Sequence, residues 1–440
     1  MSYQGGIMAA FNRLLLQSAE LRLAALPRPA MLQLPGGGTL GPTSAELKLV
    51  IRDMRALVHV ARGAIGRIAQ DYVEGRIDIR GRLQDVMAVA PALLGMNPTL
   101  EASGFFQRMT HAAWERIGHT PARDAEQVRK HYDLSDDFFA LWLDPRRVYS
   151  CAYFTTPAMS LASAQEAKLD LVCRKLLLRS GERFIDIGAG WGGLLLWAAE
   201  HYGVDATGIT LSQHQHAFVN QRIQELGLGK RVRMLLQDYR DVDESRPFDK
   251  VASIGMCEHV GRRRLPGYFA KIRRLLKPGG LVLNHGITTA GTDNAQLDAG
   301  MGDFIEKYIF PGGQLVHVGV MLEALARGGI EALDAECLRP HCAQTLWHWA
   351  EALEANGDPA RRILGPQGEK ILRAYRLYLA GSAMSFEQGW LSLFQILGAR
   401  LDAVIEPEDP LQHRMRGRHC VYPFERSYMH APTGGLSPPA

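Results

Sequence analysis

Three clusters of residues in this 440-residue chain have types and spacings suited to chemistry. The first is Asp186-Ile187-Gly188-Ala189-Gly190-Trp191-Gly192-Gly193. It follows a short apolar run and opens a helical pattern. Glycines there let a backbone come close to a ligand. The helix start adds free N–H groups and the positive end of a dipole. Gly188, Gly190 and Gly193 also fit the dinucleotide spacing GxGxxG. A dinucleotide site wants an acid at the end of the next strand, and that end reads Gly208-Ile209-Thr210. Asp186, two residues before the first glycine, instead suits the sulfonium S-adenosylmethionine (SAM). The second cluster, Gln237-Asp238-Tyr239, offers an amide or acid to an adenine amino group and an aromatic flank to its ring. The third joins Glu258-His259 to Asn284-His285-Gly286-Ile287. Glu258 and His285 close adjacent strands, so they should share a crevice, where a carboxylate and an imidazole can hold or move a proton. No third ligand at metal-site spacing accompanies them.

The elements that must position these residues are legible as alternating patterns. Residues 183–187, 204–209, 231–236, 248–254 and 280–284 read as strands, and 191–202, 212–226 and 264–276 as helices. Such alternation predicts an α/β fold with a doubly wound parallel sheet. Ligands then bind beyond the C-terminal strand ends. Residues 345–400 read as strongly helical. Upstream, 7–26, 44–70, 81–95 and 100–116 read as helices, which gives a mostly helical N-terminal domain over 1–115. A linker is expected at 116–130, a catalytic domain at 131–404 and a Pro-rich tail at 405–440.

Composition excludes several classes. Hydrophobic residues make up 47% and charged ones 22%, so disorder is not the dominant state. A net charge of +4 is too mild for bulk nucleic-acid binding. The first hundred residues hold eleven basic and seven acidic side chains, an asymmetry that suits an anionic surface. Six scattered cysteines fit neither a disulfide framework nor a zinc site and point to a reducing cytoplasm. No apolar run reaches 18 residues, and no signal-peptide pattern is present. The basic segment 261–277 is read as a helix packed on the sheet rather than a headgroup site. Helix 7–26 is the better candidate for membrane contact, with core packing or a dimer contact as its alternatives.

Beyond these clusters, the chain resembles the cyclopropane-fatty-acid synthase family, including the mycolic acid cyclopropane synthases, over about 130–400. The blocks that carry the resemblance are His131-Tyr132-Asp133-Leu134-Ser135-Asp136-Asp137-Phe138-Phe139, Tyr149-Ser150-Cys151-Ala152-Tyr153-Phe154, the glycine loop, Leu236-Gln237-Asp238-Tyr239-Arg240-Asp241, Glu258-His259-Val260-Gly261 and Tyr308-Ile309-Phe310-Pro311-Gly312-Gly313. The N-terminal region looks like the extra domain of bacterial phospholipid-acting members, through its size and Asp71-Tyr72-Val73-Glu74-Gly75.

The resemblance implies a class I SAM-dependent methyltransferase (Rossmann-like) sheet with a helical lid. SAM contacts are then expected from Tyr149, Ser150, Asp186, Gly188, Gly190, Gly192, Thr210, Gln215, Gln237 and Asp238. It implies methyl transfer to the cis double bond of an unsaturated acyl chain in a phospholipid. Bicarbonate would take the proton, held by Cys151, Glu258, His285 and the backbone of Ile287. The family's fifth bicarbonate ligand is a tyrosine, and here Cys342 stands in its place. A thiol is a weak donor of short reach. A cyclopropane is therefore expected, with a methyl-branched or methylene product as the alternative. Methylation of a soluble alkene, or SAM or lipid binding without catalysis, are further readings. Tyr132, Tyr308 and Phe310 are candidates to stabilise the substrate cation through cation–π attraction. The expected setting is the cytoplasm, peripheral to the inner membrane face, with a homodimer allowed and no nucleic-acid partner.

Overall fold

The computed structural model describes residues 2–94, 134–292, 301–310, 312–400 and 426–429, with side chains in the first stretch from 13 to 92. Helix 100–116, the linker 116–130, Tyr132 and most of the tail 405–440 lie outside the described residues.

The main sheet has seven strands. They are β5 (Arg183–Ile187), β6 (Asp205–Thr210), β7 (Val232–Leu236), β8 (Phe248–Ile254), β9 (Leu276–Thr289), β10 (Ile330–Cys337) and β11 (Leu391–Arg400), in the order β10-β11-β9-β8-β5-β6-β7. From β9 to β7 all neighbours are parallel, whereas β11 runs antiparallel to both β9 and β10. The chain reverses its winding between β5 and β8, so a ligand crevice opens at their C-terminal ends.

Alternation along β5 serves two cores. Phe184 faces the helices Leu161–Lys175, Gly193–Tyr202 and Gln213–Glu225. Ile185 and Ile187 face Leu265–Leu275 and Val318–Arg327. A third core lies over the strand ends. There the helices Arg339–Ala355 and Gly368–Glu387 close on Phe138, Phe139 and Trp142. This is the helical lid.

The helical reading of 345–400 fails at its end, where β11 takes Leu391–Arg400. That strand is buried on both faces and shows almost no alternation. A run of this kind cannot be told from a buried helix by periodicity. Nor is 44–70 one helix. It contains β3 (Leu47–Ile51) and the helices Met54–Arg62 and Ile65–Val73. The Asp53 side chain accepts the Arg55 N–H to start the first of these helices, and Gly63, at φ 66°, ends it. With β1 (Ala30–Gln33), β2 (Thr39–Leu40) and β4 (Ile77–Arg80), β3 forms a four-stranded sheet in the order β2-β1-β3-β4. Helix still predominates in the N-terminal region, but it surrounds this small sheet.

The Asp71–Gly75 stretch docks on the lid helix Gly368–Glu387. Arg373 donates to the carbonyls of Tyr72 and Ile77, Arg376 to the Tyr72 hydroxyl, and Lys370 pairs with Glu74 at 3.0 Å. Much of the basic surplus is committed locally. Arg22 caps the carbonyls of Ala61 and Arg62, while Arg28, Arg52, Arg55, Arg76 and Arg82 pair with aspartates of the same domain. The basic segment near 270 packs as a sheet-covering helix. Lys271 is buried and bonded to Glu244, Arg274 shares that carboxylate, and Lys277 takes Asp249. Among the described residues, no helix is long and apolar enough to cross a membrane.

Candidate active site

A cavity of about 450 Å³ lies at the C-terminal ends of β5, β8 and β9. Its first wall is the glycine loop. Gly188 has φ 79°, and a Cβ there would meet the Met256 sulfur at 2.5 Å. Gly190, at φ 55°, faces open space. Asp186 is 2% exposed, and its Oδ1 has no hydrogen-bond partner. Burial pushes its carboxyl up to about 7, opposed by the Lys168 charge. Lys168 is itself buried and held down to about 8, and it donates to the Ser150 hydroxyl at 2.7 Å. Tyr149, Ser150 and Gln215 complete this wall. Thr210 stands behind it and donates to Gln215 Oε1 at 2.8 Å. A cradle of bare glycine backbone beside an orphaned buried carboxylate fits a cationic nucleoside such as SAM.

The opposite wall carries an acid–base pair. Glu258 stands in the helical turn Cys257–Val260 after β8. Its Oε1 accepts the Ile287 N–H at 2.7 Å, while Oε2 is buried without a partner. Burial raises its carboxyl, against the Ile287 hydrogen bond. His285, on β9, is 1% exposed and is held neutral by burial and by the Lys168 and Lys175 charges.

The tautomer of His285 follows from its neighbours. Lys175 donates to Gln395 Oε1 at 2.8 Å. An ammonium can only donate, so the Gln395 amide nitrogen must face His285 Nδ1, 3.3 Å away. Nδ1 is then the acceptor, and the proton sits on Nε2, which has no partner. The wall thus presents one orphaned donor and one orphaned acceptor to the cavity. Gln395→Glu is expected to invert this tautomer. Turnover should fall on the order of 10²-fold for loss of the aimed donor, and imidazole ¹⁵N shifts would show the change directly.

Cys342 stands beside Cys151, whose thiol donates to the Ala152 carbonyl at 3.3 Å. Burial, Cys151 and the Glu258 charge all push the Cys342 thiol up, so it stays protonated. Both cysteines, with Glu258, His285 and Ile287, line the cavity. Phe310 and Tyr149 line it as well, and Tyr378 meets both: its ring lies 5.6 Å from that of Phe310 and its hydroxyl 3.5 Å from that of Tyr149.

Besides Thr210, four of the expected residues lie off the cavity lining. Gln237 bonds the Asp241 carbonyl and Asp238 chelates Arg240, both off this cavity. Gly192 packs near Val219, outside the lining. The Tyr308 hydroxyl donates to Glu74 of the Asp71–Gly75 stretch, so the structure does not bring it to the site. Sequence reasoning missed Lys168, Tyr378 and Gln395. The first two carry no local motif, and the third sits on the strand misread as helix.

Strand order and a glycine loop after β5 define a class I SAM-dependent methyltransferase. The family described as mycolic acid cyclopropane synthetase matches residues 119–396. The chain belongs to that family. It is 38% identical over 380 residues to a probable fatty acid methyltransferase of Pseudomonas putida, covering 86% of this chain and 93% of that protein. It is 37% identical over 292 residues to the methoxy mycolic acid synthase MmaA3 of Mycobacterium tuberculosis, with coverage of 64% and 98%. Among solved structures it resembles mycolic acid cyclopropane synthase CmaA1 complexed with SAH and CTAB. That match has a TM-score of 0.59 and 36% identity, over 62% of this chain and 98% of that one.

Proposed function

We propose that the protein methylates the cis double bond of an unsaturated acyl chain of a phospholipid and closes the product to a cyclopropane. The observation that carries this reading is the orphaned pair, His285 Nε2–H and Glu258 Oε2, in an apolar cavity shared with the glycine loop.

SAM, when bound, supplies an electrophilic methyl group. Asp186, Gly188, Gly190, Tyr149, Ser150 and Gln215 would hold it. Bicarbonate, when bound, supplies a small base. The His285 Nε2–H and the thiols of Cys151 and Cys342 would donate to it, and Glu258 would orient it. Methyl transfer to one alkene carbon leaves a cation on the other. The faces of Tyr149, Phe310 and Tyr378 stabilise that charge, and the apolar walls keep water from trapping it. Loss of a proton from the new methyl closes the ring. Loss from a neighbouring carbon gives the branched alkene instead.

Leu14 and Leu21, 65% and 73% exposed on the helix Ser2–Ala24, are the apolar side chains of that helix that a bilayer would cover. Incubation with SAM and phosphatidylglycerol vesicles carrying cis-monoenoic chains tests the reading. A gain of one CH₂ per chain is expected, with cyclopropane protons by NMR. No gain on any unsaturated lipid would overturn it, and activity on a soluble alkene without vesicles would redirect it.

Cys342→Tyr restores a phenol in the first turn of the lid helix. One added hydrogen bond of about 1 kcal/mol should raise the ring-to-branched product ratio by roughly fivefold. An unchanged ratio would show that the thiol suffices.

A further inference from the structure

The cavity does not end at the catalytic groups. It is also lined by Phe304 and Ile305 of the helix Met301–Tyr308 and by Leu377 and Met384 of the lid, and it continues into the N-terminal domain. There its walls include Leu23, Leu47, Val60, Ile68, Val86 and Ala90. Several of these belong to that domain's own hydrophobic core. Ile79 and Val86 pack against both that core and the core of the helical lid.

Protein cores are normally filled to crystal-like density. An apolar chamber that opens onto the active site is suited to take up apolar matter. Among the described residues, Arg22 is the only charged residue of the N-terminal domain in the lining, and it is committed to the Ala61 and Arg62 carbonyls.

We infer that the N-terminal domain houses the methyl-terminal arm of the acyl chain and so measures the double bond's distance from the chain end. The inference rests on the acyl-chain reading above. A chain with its alkene at the catalytic wall has two arms. One leads to a charged headgroup, which aliphatic walls cannot accept without a large desolvation cost. The other is hydrocarbon to its last carbon, and only it matches this chamber. The extra domain is then part of the substrate site rather than only a docking module.

The test fills the chamber from two helices in the full chain. Ala69→Phe lies on Ile65–Val73 and Ala90→Phe on Leu83–Leu94, and both positions are partly buried lining residues. Each variant is assayed on phosphatidylglycerols whose double bond leaves a short, middle or long methyl-side arm. Turnover on the long arm should fall at least about tenfold, and that on the short arm should stay within about twofold. SAM affinity by calorimetry should not move. An equal fall on all arms, or no fall on any, would overturn the inference. A fall on every diacyl lipid with single-chain substrates spared would also overturn it, in favour of a second acyl chain as occupant.

Two further measurements cover other failures. If the phenylalanine variants do not fold, Val86→Ala enlarges the chamber and should improve relative turnover on the longest arm. If the wild type methylates no lipid, the acyl-chain reading has failed on its own. Fluorescence titration with cis-parinaric acid then still reads the chamber, and Ala69→Phe should weaken the probe's binding. Unweakened binding would count against the chamber.

Discussion

Glu258→Gln is expected to lower turnover by about 10²- to 10⁴-fold while leaving SAM affinity within about twofold. The substitution is nearly isosteric, and the two carboxylate oxygens have different duties. Oε1 accepts the Ile287 N–H, and the glutamine carbonyl can keep that bond. Oε2 is the buried atom with no partner, and its replacement by NH₂ turns an acceptor into a donor. The loop should therefore keep its shape while the cavity loses its acceptor. Steady-state turnover beside calorimetric SAM binding separates the two duties. Unchanged turnover would mean that Glu258 serves only to anchor β9.

Asp186→Asn should weaken SAM binding by about 10- to 100-fold, the range of one charge-assisted hydrogen bond. It should also change how the ligand-free protein responds to pH. The Asp186 carboxyl ionises near 7 in the folded chain, against an ordinary value of 3.8. A raised carboxyl means that the folded state holds the proton more tightly than the unfolded one. The stability this contributes is complete below about pH 4 and is lost as pH rises through 7. Asparagine does not titrate. The wild type should therefore lose about 2–3 kcal/mol relative to the variant between about pH 5 and 7.5. Denaturant unfolding of both proteins across that window measures it. A constant difference would show that the buried carboxyl ionises at its ordinary value.

Parts of the site were legible because they are local. The glycine loop needs backbone freedom that only glycine gives, so Gly188 and Gly190 announce themselves. Glu258 and His285 stand at the ends of apolar runs, and parallel strands bring such ends together. What was illegible depended on segments far apart in sequence. Gln395 fixes the His285 tautomer from a strand 110 residues away. That strand is buried on both faces, so its pattern carried no period to read. Tyr378 is one helix residue among several aromatics, and only the fold of the lid turns it inward. Tyr308, a candidate by motif, is instead drawn to Glu74 by the docking of the first domain.

By itself, the sequence determined the α/β class, the alternation of strands and helices in a parallel sheet, the family and most of the cavity's polar groups. Each of these is written in short-range spacing, where backbone sterics and hydrophobic period dictate structure. The tertiary structure decided the antiparallel edge, the small sheet of the first domain, the protonation of His285 and the joining of two domains around one apolar cavity. These rest on burial and on contacts between distant segments. Desolvation and partner geometry set them, and neither is encoded in any local window of the chain.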